Sequence, residues 1–298
     1  MASSNIERTD LLNSIPFEGI KGRRFNLREV NWKEFPWWFA ALILIAVVTL
    51  LVVLTSASFN EAFFFIIAGL GVTVGVTLAA FLLAIVLGLL TGLGRISDKV
   101  FPKNAATLYV ELVRGVPMLV LIFFIALVLM PGIVNGINAI GTALSNAGLG
   151  AAGEFFGKIA IRDIPMAVRA VAALSITYGA FLAEVFRAGI QSISKGQMEA
   201  ARSQGMSYGQ AMRYVILPQA IRNVLPALGN DFISMLKDSS LVSVLAVRDI
   251  TQVAKLYAGH SFRFQEAYIS LAILYLIMTV SLSLIVKMIE RRYSHDGR

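Results

Sequence analysis

Five charged residues lie in or beside the apolar stretches of this sequence, where a charge is costly. They are Glu184, Arg187, Asp231, Lys237 and Asp238. A charge at the centre of a bilayer costs roughly 2.5–3.5 kcal/mol on insertion scales, so such residues usually pair with one another or mark the path of a polar solute. Glu184 and Arg187 are three residues apart and share a helix face, and local pairing is the interpretation we favour for them.

Asp231 and Asp238 are two helical turns apart and face the same way, whereas Lys237 does not share their face. Two acids on one face of a span need either solvent or a matching cation. That cation is either Lys237 or Arg187 or the ammonium or cationic group of a solute, and the sequence leaves both alternatives open. If the cation belongs to a solute, Asn230 and Ser239 are expected to add neutral hydrogen bonds to that solute. The candidate solute path therefore comprises Glu184, Arg187, Asn230, Asp231, Asp238 and Ser239.

Several kinds of chemistry are disfavoured by what the sequence lacks. Cysteine is absent, and the two histidines, His260 and His295, are far apart, which argues against a metal site or a Ser-His-Asp triad. No Gly-x4-Gly-Lys-Ser/Thr loop occurs, so no ATPase site is assigned to the chain. The glycines at 148, 150 and 153 match a dinucleotide fingerprint in spacing only, because no strand precedes them. We therefore predict neither a catalytic residue nor a cofactor bound by this chain.

The loop from Ser194 to Pro218 has the pattern of two short helices joined by a tight turn. Ser194 and Ser207 are each followed three residues later by glutamine, which is the capping-box spacing. Gly205 stands where a residue with positive φ would end the first helix, and Pro218 is expected to end or kink the second. Apolar residues give this loop a surface that suits either a partner's groove or its own protein, and both alternatives stay open.

The elements that must position these residues are membrane spans. Hydrophobic residues make up 57% of the 298 residues and charged residues 15%, against about 25% charged in soluble domains. No Asp, Glu, Lys or Arg occurs in residues 35–60, 62–94, 115–153 or 267–286. A bilayer core needs roughly 20 apolar residues in a helix. The chain is therefore predicted to be an all-α integral membrane protein, and a soluble protein with buried helices is disfavoured.

About six spans are predicted, at residues 36–58, 63–93, 117–130, 168–186, 223–236 and 267–287. The second run is too long for one straight span, so part of it must tilt or leave the membrane. The stretch 131–165, rich in Gly, Ala and Asn, is expected to be re-entrant or to lie on the outer surface. Gly71 with Gly75 and Gly88 with Gly92 are four residues apart, a spacing that lets helices approach closely.

Basic residues fix the predicted orientation. Of the 26 Lys and Arg residues, 19 lie in segments that face one side if both termini are inside. Cytoplasmic segments carry such an excess, so both termini are predicted to be cytoplasmic. The same bias explains the net charge of +8 without nucleic acid as a partner. Residues 1–35 form a polar cytoplasmic tail, 36–58 an additional N-terminal span, and 291–298 a second cytoplasmic tail.

One loop carries a recognisable motif. Glu199, Ala200, Ala201, Gly205, Val215, Leu217 and Pro218 resemble the EAA motif, which marks the membrane subunits of bacterial ABC importers. Val215 stands where isoleucine is commoner. The resemblance implies a type I importer architecture over residues 63–290. It also implies that residues 190–220, which we call the coupling loop, hold a pair of short helices that dock on a cytoplasmic ATPase subunit.

Three further stretches are similar to the polar amino acid permeases, the importers of histidine, glutamine, arginine and glutamate. They are residues 111–117, 178–190 and 225–241. The first span and the long outer stretch depart from the commonest five-span form. The resemblance implies a bacterial inner-membrane protein with three kinds of partner: a second permease subunit, ATPase subunits that bind ATP and Mg, and an extracellular or periplasmic amino-acid-binding protein. A stand-alone secondary amino acid transporter or channel is the alternative, and it leaves the coupling loop unexplained.

Overall fold

The computed structural model describes residues 37–157 and 159–295, and within them the chain forms helices and turns only. The all-α prediction is confirmed. The α-helices are α1 (Trp37–Thr55), α2 (Ala57–Ile67), α3 (Leu70–Arg95), α4 (Val100–Arg114), α5 (Met118–Phe124), α6 (Met130–Asn146), α7 (Gly150–Gly157), α8 (Met166–Gln191), α9 (Lys195–Ser203), α10 (Tyr208–Ala211), α11 (Leu217–Asp238), α12 (Ile250–Ser261) and α13 (Phe264–His295). Ile125–Leu129 and Met212–Ile216 are π-helical, and Ile161–Asp163 and Ser239–Leu245 are 3₁₀-helical.

The chain divides into two units, residues 1–47 and residues 48–298. Of the first unit the structure describes residues 37–47, which form the first part of α1. The predicted polar tail at residues 1–35 lies outside the described residues. The second unit contains every other helix and the whole coupling loop.

Four helical stretches in the described residues are long and apolar enough to cross a membrane. They are Ala57–Arg95, Met118–Asn146, Met166–Gln191 and Phe264–Glu290. These correspond to four of the predicted spans. The other two predicted spans lie on α1, whose apolar part Leu44–Val53 is shorter, and on α11, which has 22 residues and a more polar composition.

The main core forms where α3 packs against α8. A Cβ added at Gly88 would lie 2.6 Å from Cβ of Leu182, and one at Gly92 would lie 2.9 Å from the carbonyl oxygen of Ala183. The absence of side chains at these two glycines is therefore what lets the helices approach, as their spacing predicted. Gly71 and Gly75 differ, since an added Cβ would meet nothing within 4 Å at either.

The long second run is broken between α2 and α3, at Gly69. The backbone of the segment before α12 lies against this break, because a Cβ at Gly69 would be 2.7 Å from the carbonyl carbon of Asp249. The backbone N–H of Ile250 donates to the Thr73 hydroxyl at 3.0 Å. The start of α12 therefore packs against the break between α2 and α3. Residues of α2, α12 and α13 form a second apolar cluster.

Asp249 is fully buried at the start of α12. Its Oδ1 accepts from the backbone N–H of Gln252 at 2.8 Å and so caps the helix. Its Oδ2 has no hydrogen-bond partner among the described residues. Burial raises the pKa of the Asp249 carboxyl, although hydrogen bonds from Gln252 and Thr251 and the charge of Lys255 act in the opposite direction.

The stretch 131–165 contains a helical hairpin formed by α6 and α7. The helix that begins with α5 continues through α6 to Asn146, beyond the predicted end at residue 130. Gly148, at φ +86°, makes the turn into α7. A Cβ at Gly153 would lie 2.7 Å from the carbonyl oxygen of Gly141, so the two helices are in close contact. The glycines that imitate a nucleotide-binding loop therefore serve a turn and a helix contact.

Candidate functional site

The coupling loop begins with α9, which ends in a Schellman motif. Gly205 has φ +86°, as its position predicted. Its N–H donates to the carbonyl of Arg202 at 3.0 Å, and the N–H of Met206 donates to the carbonyl of Ala201 at 3.3 Å. These two bonds satisfy carbonyls that would otherwise be left without partners at the helix end. The turn therefore fixes the direction in which the chain leaves α9.

Only one of the two predicted capping boxes forms. The Ser207 hydroxyl accepts from the N–H of Gln210 at 3.3 Å, and Oε1 of Gln210 accepts from the N–H of Ser207 at 2.9 Å. Ser194 begins α9 without a side-chain cap. The side chain of Gln197 instead accepts from Nε2 of Gln219 in α11 at 3.5 Å.

Pro218 does not end the second short helix. The chain stays helical from Tyr208 to Asp238, and Pro218 lies in the first turn of α11 directly after the π-helical segment Met212–Ile216. A proline removes one hydrogen bond and its ring clashes with the carbonyl four residues earlier. The wider π-helical turn is where that conflict is absorbed. The coupling loop is therefore joined to α11 by one helix.

The apolar residues of the coupling loop divide between an inner and an outer face. Ala201 and Ala211 are buried, and Met198, Met212, Val215 and Leu217 pack on the cluster around Ile190, Ile216 and Ala220. Glu199, Ala200, Gly205 and Pro218 are exposed. Tyr208 and Tyr214 are 47% and 63% exposed. The loop thus packs on its own protein with one face and presents acidic, small and aromatic residues on the other.

A cluster of charged side chains, which we call the ion cluster, joins α3, α4 and α8. Glu184 of α8 pairs with Arg95 at the end of α3, with Arg187 at 2.7 Å and with Arg114 of α4 at 3.5 Å. Arg95 also lies 3.7 Å from Glu111. The predicted pairing of Glu184 with Arg187 is observed. The sequence did not point to the two arginines on other helices, because nothing local links positions 95, 114 and 184.

Asp238 has a partner that the sequence analysis missed. The Tyr178 hydroxyl of α8 donates to Oδ2 of Asp238 at 2.6 Å. Asp231 and Asp238 are both half-buried, and within the described residues neither has an ion pair with Lys237, which is exposed, or with Arg187. A tyrosine in an apolar helix was the available signal, because a buried phenol usually has a hydrogen-bond partner.

The two neutral candidates differ in exposure. Asn230 is exposed on α11. Ser239 is fully buried and donates its hydroxyl to the carbonyl of Leu236 at 2.7 Å. Beside them, the rings of Phe232 and Phe81 are in contact, with centroids 4.6 Å apart. Of the four candidate residues at 230, 231, 238 and 239, it is therefore Asn230, Asp231 and Asp238 that present polar surface.

The described residues contain no group of three or more His, Asp or Glu side chains that could hold a metal ion. The arrangement supports the binding of polar or cationic groups along α8 and α11. The coupling loop adds an exposed helical surface.

Comparison with known proteins connects these features. The family described as "Binding-protein-dependent transport system inner membrane component" matches residues 84–295. The chain is 40% identical over 186 residues to the probable glutamine ABC transporter permease protein GlnM of Bacillus subtilis, which covers 62% of this chain and 73% of that protein. It is 32% identical over 203 residues to the glutamine transport system permease protein GlnP of Escherichia coli, covering 68% and 81%.

Solved structures of ABC transporters are also similar to this chain. A crystal structure of an amino acid ABC transporter with histidines matches with a TM-score of 0.60 and 38% identity, covering 76% of this chain and 94% of that chain. The MetNI methionine ABC transporter in an inward-facing conformation matches with a TM-score of 0.57 and 17% identity, covering 77% and 96%, and this shows the fold alone. The matched residues 84–295 contain the ion cluster, the coupling loop and α11, and the chain belongs to the family of binding-protein-dependent transport system inner membrane components.

Proposed function

We propose that this chain is the permease subunit of an ATP-driven importer of polar amino acids. The observation that carries the proposal is the coupling loop, which forms a pair of short helices between α8 and α11, in a chain whose relatives are amino acid permeases. A stand-alone transporter or channel has no use for such a loop. ATP hydrolysis then belongs to partner subunits that bind ATP and Mg, and this chain supplies no catalytic residue.

The outer face of the coupling loop is the proposed docking surface for the ATPase. Glu199, Ala200 and Gly205 are exposed there, and Tyr208 and Tyr214 add aromatic area. A small helical unit with exposed aromatic residues suits insertion into a groove of a partner. The buried Ala201, with Val215, Leu217 and the helical connection at Pro218, would transmit movement of that unit to α11.

The proposed substrate path runs along α11 beside α8. Asp231 and Asp238 would attract the positive group of a polar amino acid, with Asn230 and Ser239 nearby for neutral hydrogen bonds. A second permease subunit, identical or homologous, would supply the other wall. Glu184 and Arg187 lie at the inner end of the path, where the ion cluster holds α3, α4 and α8 together.

The orientation proposed is that predicted from the basic residues, with both termini and the coupling loop in the cytoplasm. The hairpin of α6 and α7 then faces outside, on the side where an amino-acid-binding protein would deliver its ligand. The bacterial inner membrane is the proposed location.

The test is reconstitution. The chain is expressed together with its neighbouring coding sequences, where an ATPase and a binding protein are expected, and purified through a tag on this chain alone. We expect an ATPase with a Walker-type loop to co-purify. In proteoliposomes, uptake of a mixture of labelled polar amino acids should require ATP on the side of the membrane where the ATPase is bound. Uptake by the chain alone, driven by an ion gradient without ATP, would establish the stand-alone transporter instead.

A further inference from the structure

A cleft of about 580 Å³ lies between the inner face of the coupling loop and the turn that joins α3 to α4. Its walls come from the end of α3, the start of α4, the end of α8 and the first residues of α9. Tyr208 borders both this cleft and the face proposed to dock an ATPase, whereas Glu199, Asp231 and Asp238 do not line the cleft.

Two lysines set the charge of this cleft. Lys103 from α4 and Lys195 from α9 line it, and neither has an ion pair elsewhere in the part of the chain that the structure describes. Arg95 also lines it, but its charge is matched by Glu184. The acid on the wall is Asp98. The lining therefore carries an excess of positive charge that no group of the described residues neutralises by contact.

The cleft also contains hydroxyl donors. Ser97, Ser194 and Tyr208 line the cleft. The Ser97 hydroxyl oxygen accepts from the N–H of Lys99 at 3.2 Å, which leaves its own proton free to donate. The Ser194 side chain does not cap α9. Positive charge together with several hydroxyl donors is the composition that recognises a phosphate group.

The floor of the cleft is apolar. It is formed by members of the cluster around Ile190 and Ile216, with Met198 and Met212 beside them. A cleft with a basic, hydroxyl-rich rim and an apolar floor matches an amphiphile with a phosphate head. Basic pockets between membrane helices on the cytoplasmic side bind such lipid head groups. In the orientation proposed above this cleft opens at the cytoplasmic leaflet.

We propose that the cleft binds a phosphate-bearing anion, held by Lys103 and Lys195, between the coupling loop and the α3–α4 turn. The source of the phosphate is either an inner-leaflet phospholipid or a free phosphate anion. Binding there would join α4 to α9 and so stiffen the coupling loop from its inner face.

The test is equilibrium binding to the full chain, purified in neutral detergent with the subunits that accompany it. The probes are the short-chain lipid dioctanoyl phosphatidylglycerol, its phosphate-free counterpart dioctanoylglycerol, and inorganic phosphate. We expect saturable binding of the phospholipid. Each basic residue near an anionic lipid surface contributes about 1 kcal/mol, so Lys103→Gln and Lys195→Gln should each weaken binding roughly fivefold, and the double variant about 30-fold. Lys103→Arg and Lys195→Arg should retain it.

Lys99→Gln is the matched control. Lys99 is exposed four residues before Lys103 and does not line the cleft, so its loss changes net charge alone and should leave binding within about twofold. Competition by inorganic phosphate at comparable concentration identifies a free-phosphate site, and absence of competition identifies a lipid headgroup site. The proposal is overturned if the double variant binds like the parent, if Lys99→Gln loses as much, or if dioctanoylglycerol binds equally well. These outcomes do not depend on uptake, so they separate this site from the proposed transport function.

Discussion

The Tyr178 hydroxyl donates a hydrogen bond of 2.6 Å to Oδ2 of Asp238, and this bond joins the middle of α8 to the last residue of α11. One oxygen of the carboxylate is thereby oriented, and the other has no hydrogen bond from within the described residues. A half-buried carboxylate held in this way can accept a cationic group without first reorganising.

The first prediction is that Asp238→Asn lowers uptake without lowering the amount of assembled complex. The change keeps the shape and removes the charge. A hydrogen bond to a charged group contributes roughly 1.5–3 kcal/mol, so kcat/KM for uptake should fall about 10- to 100-fold. Asp231→Asn should also lower uptake. Uptake by reconstituted vesicles and the yield of co-purified subunits are measured in parallel.

Asp163→Asn is the control for this pair, since Asp163 is exposed in the outer stretch, 3.9 Å from Arg162. Loss of assembly in Asp238→Asn would make Asp238 a structural residue. Unchanged uptake in both single variants and in the double variant would remove the two acids from the path.

The second prediction compares two glycines of α3. Alanine is favoured over glycine in a helix by about 1 kcal/mol, but a Cβ at Gly88 would lie 2.6 Å from Cβ of Leu182. Overpacking typically costs about 1–3 kcal/mol. Gly88→Ala should therefore lower the apparent melting midpoint of the chain in detergent. Gly75→Ala, where a Cβ meets nothing within 4 Å, should leave the midpoint unchanged or raise it. Equal midpoints for the two variants would contradict the packing seen between α3 and α8.

The comparison of Gly88 with Gly75 also shows how far the sequence could be interpreted. Spacing placed the four glycines of α3 on helix faces, and charge-free runs located three of the four long apolar helices, α8 being the exception. Neither pattern says which neighbouring helix a face meets. Gly88 and Gly92 meet α8, whereas Gly71 and Gly75 meet nothing in the described residues. That assignment depends on contacts across the fold, which local periodicity does not contain.

The two prolines show a second limit. Pro218 was expected to end or kink a helix, and a predicted span was expected to end at residue 130, just before Pro131, but the structure carries a helix through both prolines. A π-helical segment ends two residues before each of them. A wide turn that absorbs the missing hydrogen bond leaves no clear mark in the local sequence. By contrast, Gly205 and the Ser207 capping box were predictable, because their geometry depends on residues within one turn.

The third prediction concerns the buried carboxylate of Asp249. Because its pKa is raised in the folded protein, this group favours folding at low pH, and that contribution is lost as the pH rises. Asp249→Asn keeps an acceptor for the N–H of Gln252 and removes the charge. The melting midpoint of Asp249→Asn minus that of the parent should therefore increase as the pH rises above the ordinary Asp value of 3.8. Asp249→Ala removes the cap as well as the titrating group, so it should be about 1 kcal/mol less stable than Asp249→Asn at every pH. A difference between Asp249→Asn and the parent that shrinks with rising pH would mean that the buried charge is stabilised.

The fourth prediction is topological. Single cysteines at Ser3, Ser145 and Ser294 can be probed with a membrane-impermeant thiol reagent, because the native chain has no cysteine. Ser145, exposed at the end of α6, should be labelled in intact cells. The positions of Ser3 and Ser294 should be labelled only after the membrane is opened. Labelling of either in intact cells would reverse the proposed orientation.

The fifth prediction tests the coupling loop. A residue with a side chain at φ +86° costs roughly 1–2 kcal/mol, and no neighbour within 4 Å adds a clash at Gly205. Gly205→Val should therefore misdirect α10 through the backbone alone and weaken ATPase docking. Glu199→Ala, on the exposed face, should uncouple ATP hydrolysis from uptake while membrane insertion stays normal. Gly209→Val is the matched control, since Gly209 is exposed in α10, has no positive φ and has nothing within 4 Å of its Cβ position. Co-purified ATPase and substrate-stimulated hydrolysis are the measurements. If Gly205→Val and Glu199→Ala both retain substrate-stimulated ATP hydrolysis and uptake like the parent, the loop is not a coupling element.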